Sequence, residues 1–462
     1  MSRFTSSVDL PVDQNEAWAW HLREGAFGRL TPPWQRIEML EPGPVENGSR
    51  ATFRLYKGPV PITWVAEHRD VEPPGQFVDV QLSGPFAHWH HRHRFEAIDD
   101  SHSRLHDELD FKLPLGILGS LGAGSVRGDL ERVFRYRHAT TREDLQLHAD
   151  FRDRERLTVA IAGAGGMVGR VLSALLTTGG HRVLRLVRRQ AKAADEVTWD
   201  PANGVARPAD LEGVDALVYL AGAGINDGRW TPRFKKLIRS SRVDAMKNLV
   251  QSLAQLENPP GVLVSASGMS VYRQGGGPHD EDSAPDGEGF LADVVRDWEA
   301  EVIAAESLGM RTVQLRLGVV LSPQGGALAA MLPSAQVGMG GALGSGDQML
   351  SWISIDDAAS AILVALMNDE LSGPVNLTAP EVISQRRFAQ ILGRVLRRPA
   401  FARVPQLAVD TLVGAEKASE TVLADLHVVP RRLQEIGFRF RHPDASTALG
   451  HVLGRDVGVS SS

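Results

Sequence analysis

The spacing of apolar and polar residues changes once along the chain, and this change predicts two domains. Before about residue 150, short runs alternate apolar and polar residues between Pro-, Gly- or Asp-rich turns; examples are ATFRLY, FVDVQL and RLHDELDF. Such alternation is typical of half-buried antiparallel strands. From Leu157 onward, apolar strand-like runs alternate with longer helical stretches, as in LTVAIAG, HRVLRLV, DALVYLAG, GVLVSAS and RTVQLRLG. This order predicts α/β architecture: a Rossmann-type, doubly wound parallel sheet.

The boundary between the two patterns is a polar segment. Residues 138–156, HATTREDLQLHADFRDRER, are charged and show little apolar periodicity. A chain of 462 residues also exceeds the usual size of one hydrophobic core. We therefore predict a first domain at 1–150 and a second at 157–455.

Composition excludes several classes of function. The net charge of -6 is spread over the chain without a basic stripe, so we expect no nucleic-acid partner. No apolar run approaches the roughly 20 residues of a membrane helix, and the first residues show no export signal. A cytoplasmic protein without a membrane partner is expected. The absence of cysteine removes disulfides, thiolate nucleophiles and thiolate metal sites.

A glycine-rich turn in IAGAGGMVG is the sharpest motif. Gly163, Gly166 and Gly169 follow an apolar strand, and Met167 and Val168 open a helix. Glycine lets the backbone approach a pyrophosphate, and the N–H groups and dipole of a helix start favour that anion. We predict that these five residues bind a dinucleotide. The alternative is a tight turn without a ligand.

The end of the next strand, HRVLRLVRRQ, indicates which dinucleotide is bound. An NAD site would place Asp or Glu against the ribose hydroxyls about 20 residues after the glycines, whereas this chain has Arg188 and Arg189 there. A guanidinium suits a 2′-phosphate, so NADP(H) is predicted over NAD(H). The alternative is that one or both arginines are merely solvated.

These features belong to a wider resemblance. Residues 157–455 resemble an extended short-chain dehydrogenase/reductase of the bacterial NAD(P)-dependent epimerase family, the SulA-like sugar-nucleotide epimerases. The motifs that carry it are IAGAGGMVG, VTWDP (197–201), LAGAGI (220–225), GRWTPRFKKLIRSSRV (228–243), GFLADVVRDWEAE (289–301), GALGSGDQMLSWISIDD (341–357), GPVNLTAP (373–380) and VVPRRLQEIGFRFRHPD (428–444). The resemblance implies that Asp200 and Leu220, Ala221 and Gly222 border the adenosine half of the cofactor. It further implies a C-terminal substrate subdomain after about Ser322, ending in a small family-specific module at 404–455.

The chain lacks the usual catalytic pair of this superfamily. No tyrosine is followed four residues later by lysine, and Phe290 and Val294 occupy the Tyr and Lys places in GFLADVVRDWEAE. Ser267 matches the superfamily serine that hydrogen-bonds a substrate carbonyl, and Tyr272 is the phenol expected near the carboxyl edge of the sheet. Ser267 and Tyr272 are therefore the predicted catalytic residues. For Tyr272, simple closure of the pocket is an equal alternative.

Further predictions concern residues near the pocket. Ser265, at the end of the same strand as Ser267, is assigned to the cofactor. Trp230, Arg316 and Trp352 are assigned to a small-molecule substrate.

Residues 1–150 resemble the SRPBCC or START-like superfamily, an α+β helix-grip fold around an apolar cavity. The supporting segments are GPFAHWHHRHRFEAI (84–98), LHDELDFKLPLG (105–116) and GSVRGDLERVFRYRH (124–138). The resemblance implies a hydrophobic ligand in this domain.

Four histidines in GPFAHWHHRHRFEAI raise the question of a metal. Strand alternation puts His88 and His90 on one face and His91 and His93 on the other, so at most two could share an ion without help from His106 or Glu108. We expect no metal site.

Two functional hypotheses remain open. The first is an NADP(H)-dependent epimerase or oxidoreductase acting on a small polar or nucleotide-linked substrate. The second is a non-catalytic NADP(H)-binding sensor or scaffold, which the missing YxxxK favours. A fused pair in which the first domain delivers its ligand to the second, and a homo-oligomer, are also left open.

Overall fold

The computed structural model describes residues 1–114 and 123–456. It forms two compact units: the first comprises Met1–Glu155 and Thr177–Gly180, and the second comprises the other described residues from Arg156 onward. The change in apolar spacing after residue 150 therefore coincides with the division of the structure.

The first unit is built on a seven-stranded antiparallel sheet with the order β1-β7-β6-β5-β4-β3-β2. Its strands are β1 (Ser2–Leu10), β2 (Ile37–Glu41), β3 (Arg50–Lys57), β4 (Val60–Glu72), β5 (Gln76–Ser83), β6 (His88–Ala97) and β7 (Ser103–Lys112). Its helices are α1 (Gln14–Leu22), α2 (Ala26–Leu30) and α3 (Ala123–Asp150). Every second residue of β6 and β7 is buried over much of their length, as expected for strands with one face toward a core.

Aromatic side chains and one buried ion pair hold the helices of the first unit against its sheet. Trp18 of α1 packs edge-on against Phe77 and Phe95, with ring centroids 5.8 and 5.5 Å apart. Arg29 of α2 donates to both carboxylate oxygens of Asp144 on α3, at 2.6 and 2.8 Å. Both side chains are almost fully buried, so this pair fixes α2 on α3.

The second unit contains the remaining strands and helices. Its strands are β8 (Thr158–Ala162), β9 (Arg182–Val187), β10 (Glu196–Asp200), β11 (Gly204–Val205), β12 (Ala216–Tyr219), β13 (Val262–Gly268), β14 (Arg311–Leu317), β15 (Val319–Leu321), β16 (Gly341–Leu343), β17 (Met349–Leu350), β18 (Trp352–Ser354), β19 (Gly373–Leu377), β20 (Ile383–Ser384) and β21 (Ala402–Val404). Its α-helices are α4 (Met167–Thr178), α5 (Pro232–Ser240), α6 (Val243–Leu253), α7 (Phe290–Ile303), α8 (Gly326–Gln336), α9 (Ile355–Met367), α10 (Gln385–Leu396), α11 (Gln406–Val413), α12 (Ala415–Glu420), α13 (Arg431–Glu435) and α14 (Ala445–Leu453). Short 3-10 turns occupy Pro208–Leu211, Met269–Val271 and Ala304–Leu308.

The main sheet of the second unit has the order β11-β10-β9-β8-β12-β13-β14-β19. All neighbours are parallel except β10 and β11. The order of connection reverses between β8 and β12, and doubly wound sheets bind ligands at the carboxyl ends of the strands beside such a reversal. The Rossmann-like α/β prediction is thus confirmed, and the topology points to the loops after β8 and β12.

Small two-stranded sheets extend the second unit beyond β14. They pair β15 with β18, β16 with β21 and β17 with β20. Helices α8, α10 and α14 contribute to one apolar core in this part of the chain, whose central members include Leu328, Phe388 and Leu449. Among the described residues, none of the helices combines the length and apolarity needed to cross a membrane.

Candidate functional site

The turn between β8 and α4 can hold a pyrophosphate only with glycine at two of its positions. Gly163 has a φ of 92°, and a Cβ there would lie 2.8 Å from the carbonyl carbon of Leu220. A Cβ on Gly169 would lie 2.2 Å from the carbonyl oxygen of Gly163. A Cβ on Gly165, by contrast, would meet nothing within 4 Å, so the outside of the turn is open. Glycine at 163 and 169 therefore lets the turn pack directly against the Leu220 segment and the start of α4, and the open outer side of the turn at Gly165 leaves room for a phosphate beside the helix start.

The segment Leu220–Gly222 forms the other side of this crevice. Leu220 donates its N–H to the carbonyl oxygen of Ala162, which holds it beside the glycine turn. Arg242 donates to the carbonyl oxygens of Ala223 and Ile238 at 3.0 and 3.1 Å. Burial lowers the pKa of Arg242, so the guanidinium is costly to place there and its hydrogen bonds offset that cost. Arg242 thus stabilises the conformation of the loop after β12 by hydrogen bonding to its backbone.

The two arginines after β9 have different surroundings. Arg189 donates to both carboxylate oxygens of Glu196 at 2.7 and 2.6 Å, and this pairing lowers the pKa of Glu196 to about 2. Arg188 is exposed and makes no ion pair or side-chain hydrogen bond with any described residue. Of the pair, Arg188 is therefore the guanidinium available to a 2′-phosphate.

Asp200 and Ser265 are placed differently from one another. Asp200 ends β10 and is exposed, and its carboxylate accepts hydrogen bonds from the backbone of Ala202 and the side chain of Asn203. Ser265 has no exposed surface and donates to the carbonyl oxygen of Ala266. The hydroxyl of Ser265 is therefore buried and hydrogen-bonded to the backbone of its own strand, β13.

A row of polar side chains crosses three neighbouring strands near their carboxyl ends. Ser267 of β13 is in register with Arg316 of β14, which is in register with Asn376 of β19. β13 is two strands from β8, so at about 4.8 Å per strand spacing the Ser267 end of the row lies about 10 Å from the strand that leads into the glycine turn. That separation suits a substrate positioned beside the reactive end of a dinucleotide.

Glu299 of α7 connects this row. Ser267 donates to Oε1 of Glu299 at 2.6 Å, and Arg316 donates to both carboxylate oxygens at 2.9 and 2.8 Å. The side chains of Arg316 and Glu299 are only 6% and 11% exposed, so the pair is shielded from water. A buried carboxylate bound to a serine hydroxyl can accept that hydroxyl's proton.

Tyr272 is held inside the same network. Its hydroxyl accepts from Nη1 of Arg316 and donates to Oδ1 of Asn376, both at 2.8 Å, and its ring stacks on His279. Only 1% of the residue is exposed, and burial raises the pKa of the phenol. Both polar contacts of the hydroxyl are therefore internal, which changes the expectation that Tyr272 meets the substrate.

The residues assigned to the substrate also have internal partners. Arg316 is committed to Glu299 and Tyr272, and Trp352 has no exposed surface within the apolar core of the C-terminal region. Trp230 is half-buried, donates to the carbonyl oxygen of Ile225 and packs edge-on against Phe290, so it remains at the surface of the second unit.

Sequence reasoning missed Glu299 as a member of the site. Glu299 lies four residues after Val295 and three before Val302, on the stripe of α7 that is buried. A carboxylate on the apolar stripe of a helix is unusual unless it is paired. That signal was readable from the sequence.

The histidines of β6 follow the predicted alternation, but their neighbours differ from those expected. His91 and His93 are buried on one face. Of the expected helpers, His106 pairs with Glu96 and Glu108 pairs with Arg3. Asp79 instead lies close enough to His91 and His93 for one ligand atom from each to lie within 4.8 Å of the others. The expectation of no shared site ignored carboxylates on the neighbouring strands.

A surface groove of the first unit runs along β1 and α3. Its walls combine Phe4 and Val8 with Arg127, Arg135 and His138. This lining is mixed in polarity, and the hydrophobic ligand implied by the sequence stays a prediction.

Comparison with known proteins places the second unit in a family. Residues 159–377 match the model of the NAD-dependent epimerase/dehydratase family, and 404–452 match a domain of unknown function, DUF1731. The epimerase family protein Mb2239 of Mycobacterium bovis is 39% identical over 297 residues, which covers 64% of this chain and 98% of that protein.

Solved structures extend the comparison to the first unit. The nucleoside-diphosphate sugar epimerase of Corynebacterium glutamicum is 32% identical with a TM-score of 0.79, covering 98% of this chain and 90% of that one. The human epimerase family protein SDR39U1, solved with NADPH, is 31% identical with a TM-score of 0.59, covering 64% of this chain and 99% of that one.

Proposed function

The chain belongs to the NAD-dependent epimerase/dehydratase family, and from this premise we propose that its second unit binds NADP(H) and converts a small polar or nucleotide-linked substrate. The observation that carries the proposal is the glycine turn at the reversal of the sheet, with Gly163 and Gly169 packed too closely for any Cβ. The human relative was solved with NADPH, which supports the proposed cofactor. The Corynebacterium relative is a nucleoside-diphosphate sugar epimerase, which supports the proposed substrate class.

The preference for the phosphorylated cofactor rests on Arg188. Its guanidinium is exposed after β9, whereas that of Arg189 is paired with Glu196. A free guanidinium can bind a 2′-phosphate with charge-assisted hydrogen bonds, each of which stabilises a complex by about 1.5–3 kcal/mol. Asp200 and Leu220–Gly222 border the adenosine side of the same crevice.

Ser267 and Glu299 are the groups that handle the substrate in this proposal. A bound nicotinamide cofactor supplies hydride transfer. When a substrate hydroxyl is oxidised, Ser267 accepts its proton while passing its own proton to Oε1 of Glu299 at 2.6 Å. In the reverse direction Glu299 returns a proton to Ser267 as Ser267 gives its own to the substrate oxygen. Arg316 fixes the carboxylate from the opposite side, and Tyr272 positions Arg316 through its hydroxyl.

The first unit is proposed to be a helix-grip domain of the START-like kind that binds a small ligand. Its antiparallel sheet, followed by the 28-residue helix α3, is the arrangement that such a fold requires.

A second candidate is cofactor binding without turnover. It is favoured by the internal commitment of Tyr272 and by the apolar residues Phe290 and Val294 at the usual catalytic places. Under this second hypothesis the second unit senses NADP(H), and Ser267, Arg316 and Asn376 only stabilise the fold.

Calorimetric titration tests the cofactor proposal. The full chain is titrated with NADPH, NADP+, NADH and NAD+, and the same titrations are made on Arg188→Asp and on the matched control Arg189→Gln. We expect tight binding of the phosphorylated forms, weakened at least tenfold in Arg188→Asp and little changed in Arg189→Gln. Equal affinity for NADH and NADPH in the unchanged chain would refute the preference, and no binding of any form would refute the site.

Turnover separates the two candidate functions. The chain is incubated with NADP+ or NADPH and a panel of nucleotide sugars and small carbonyl compounds, and products are resolved by mass spectrometry and NMR. Conversion that Ser267→Ala abolishes, while NADPH affinity is unchanged, supports the enzyme. Conversion that Ser267→Ala leaves intact contradicts the assigned role of Ser267.

A further inference from the structure

The inner face of the first unit carries a row of titratable side chains. His68 of β4 is in register with Asp79 of β5, and Asp79 is in register with His91 of β6. Two residues further along β6, on the same face, His93 is in register with Asp107 of β7. His68, His91, His93 and Asp107 are all less than 9% exposed. Four neighbouring strands thus direct imidazoles and carboxylates into one buried space.

Asp107 sets the orientation of two of these imidazoles. Its Oδ1 lies 2.9 Å from Nε2 of His91 and 2.9 Å from Nδ1 of His93. Its Oδ2 is held by Nε2 of His138, on α3, at 2.7 Å. Histidines that bind a metal through one ring nitrogen commonly have a carboxylate at the other in this way.

Side chains of three residues lie close together at this point. Nε2 of His93, the ring nitrogen that Asp107 does not engage, lies 3.3 Å from Oδ2 of Asp79. One ligand atom from each of Asp79, His91 and His93 lies within 4.8 Å of the others. Two imidazole nitrogens and one carboxylate oxygen form a donor set that suits divalent first-row transition metals.

Several buried polar atoms around this point make no well-aligned hydrogen bond with a described residue. Nδ1 of His68 and Oδ1 of Asp79 lie 2.6 Å apart, yet neither makes an aligned hydrogen bond with a described residue. Nε2 of His21 is also buried without a hydrogen bond, and its ring lies 6.4 Å from that of His93. A buried polar atom without a hydrogen bond destabilises the folded state. A cation bound among these atoms would remove part of that destabilisation.

We infer that Asp79, His91 and His93 bind a divalent transition-metal ion inside the first unit, with Asp107 and His138 orienting the two imidazoles. The ion would add positive charge beside the half-buried carboxylate of Asp79 and the buried carboxylate of Asp107. This site is separate from the proposed cofactor site and does not depend on it.

Metal titration of the full chain tests the inference. Chelator-treated protein is titrated calorimetrically with Zn²⁺ and, in parallel, with Co²⁺ while its visible d–d absorption is recorded. We expect one ion per chain and a Co²⁺ spectrum typical of nitrogen and oxygen ligands. His93→Gln and Asp79→Asn should each weaken binding at least a hundredfold. The matched control is His90→Gln on the opposite face of β6, which should leave the affinity unchanged.

Two controls are needed, one for folding of the variants and one for metal binding elsewhere in the chain. Circular dichroism and hydrogen exchange show whether each variant is folded; if His93→Gln is not, Asp79→Asn and the Co²⁺ spectrum of the unchanged chain decide. A second cluster, Asp356, His442 and His451, could also hold an ion, so His451→Gln is included. Absence of stoichiometric binding, loss of binding in His451→Gln or His90→Gln, or full affinity in Asp79→Asn would each overturn the inference.

Discussion

Replacing either Arg316 or Glu299 alone should destabilise the second unit severely. Replacing both together should destabilise it no more than either single replacement. Arg316 makes two hydrogen bonds to Glu299, and both side chains are close to fully buried. Breaking a buried pair by removing one partner typically costs about 3–5 kcal/mol, because the other charge stays buried without compensation. We therefore expect about that loss for Glu299→Met and for Arg316→Met.

The double variant distinguishes this account from simple loss of packing. With both charges replaced by methionine, no uncompensated charge remains, and buried ion pairs exchanged for apolar groups are often neutral in stability. Ser267 and Tyr272 still lose partners, which costs about 1–3 kcal/mol. The double variant should thus be no less stable than either single variant.

Hydrogen exchange read by mass spectrometry is the appropriate assay, because a chain with two compact units need not unfold in one step. Peptides from α7 and β14 report the second unit directly. A loss of 3 kcal/mol lowers their protection about a hundredfold, and peptides from β6 of the first unit serve as the control. Additive losses, with the double variant equal to the sum of the singles, would refute the reasoning.

Three further predictions follow from single positions. Gly163→Ala should destabilise the second unit by about 1–3 kcal/mol in denaturant unfolding because of its positive φ and its contact with Leu220, whereas Gly165→Ala should change it by less than about 0.5 kcal/mol. Tyr272→Phe should cost about 1–3 kcal/mol while leaving the calorimetric affinity for NADPH unchanged. Burial lowers the pKa of His442 to about 3, so the unfolded chain takes up a proton below pH 6.5 that the folded chain does not. Stability should therefore fall by about 1.4 kcal/mol per pH unit from pH 6.5 toward 3, and thermal unfolding of His442→Gln between pH 7 and 5 should show a shallower decline.

The fold of the second unit was predictable because its signals are local. Each parallel strand is a short apolar run, and the glycine turn connects the first of them, β8, directly to α4. The position of the sheet reversal between β8 and β12 is known only from the structure, because short connections and right-handed crossovers reduce the possible strand orders without selecting one.

The polar site was less predictable because its contacts join distant segments. Ser267 and Arg316 were identified, but their shared partner Glu299 is 32 residues from the first and 17 from the second. Periodicity places Glu299 on a buried face without saying which charge neutralises it. In the first unit, alternation put His91 and His93 on one face, whereas the register that brings Asp79 and Asp107 beside them depends on pairings between strands.

The structure of α7 shows what Phe290 and Val294 do at the positions where the family resemblance leads one to expect Tyr and Lys. Val294 is buried, and the ring of Phe290 packs edge-to-face against the ring of Trp230. The first turns of α7 therefore contribute to packing. Glu299, five residues after Val294, is where the same helix presents a charge to the sheet. In the proposed function, proton transfer is organised around Ser267 and a carboxylate held by Arg316. The bidentate pair of Arg316 and Glu299 fixes that carboxylate without any contribution from the positions of Phe290 and Val294.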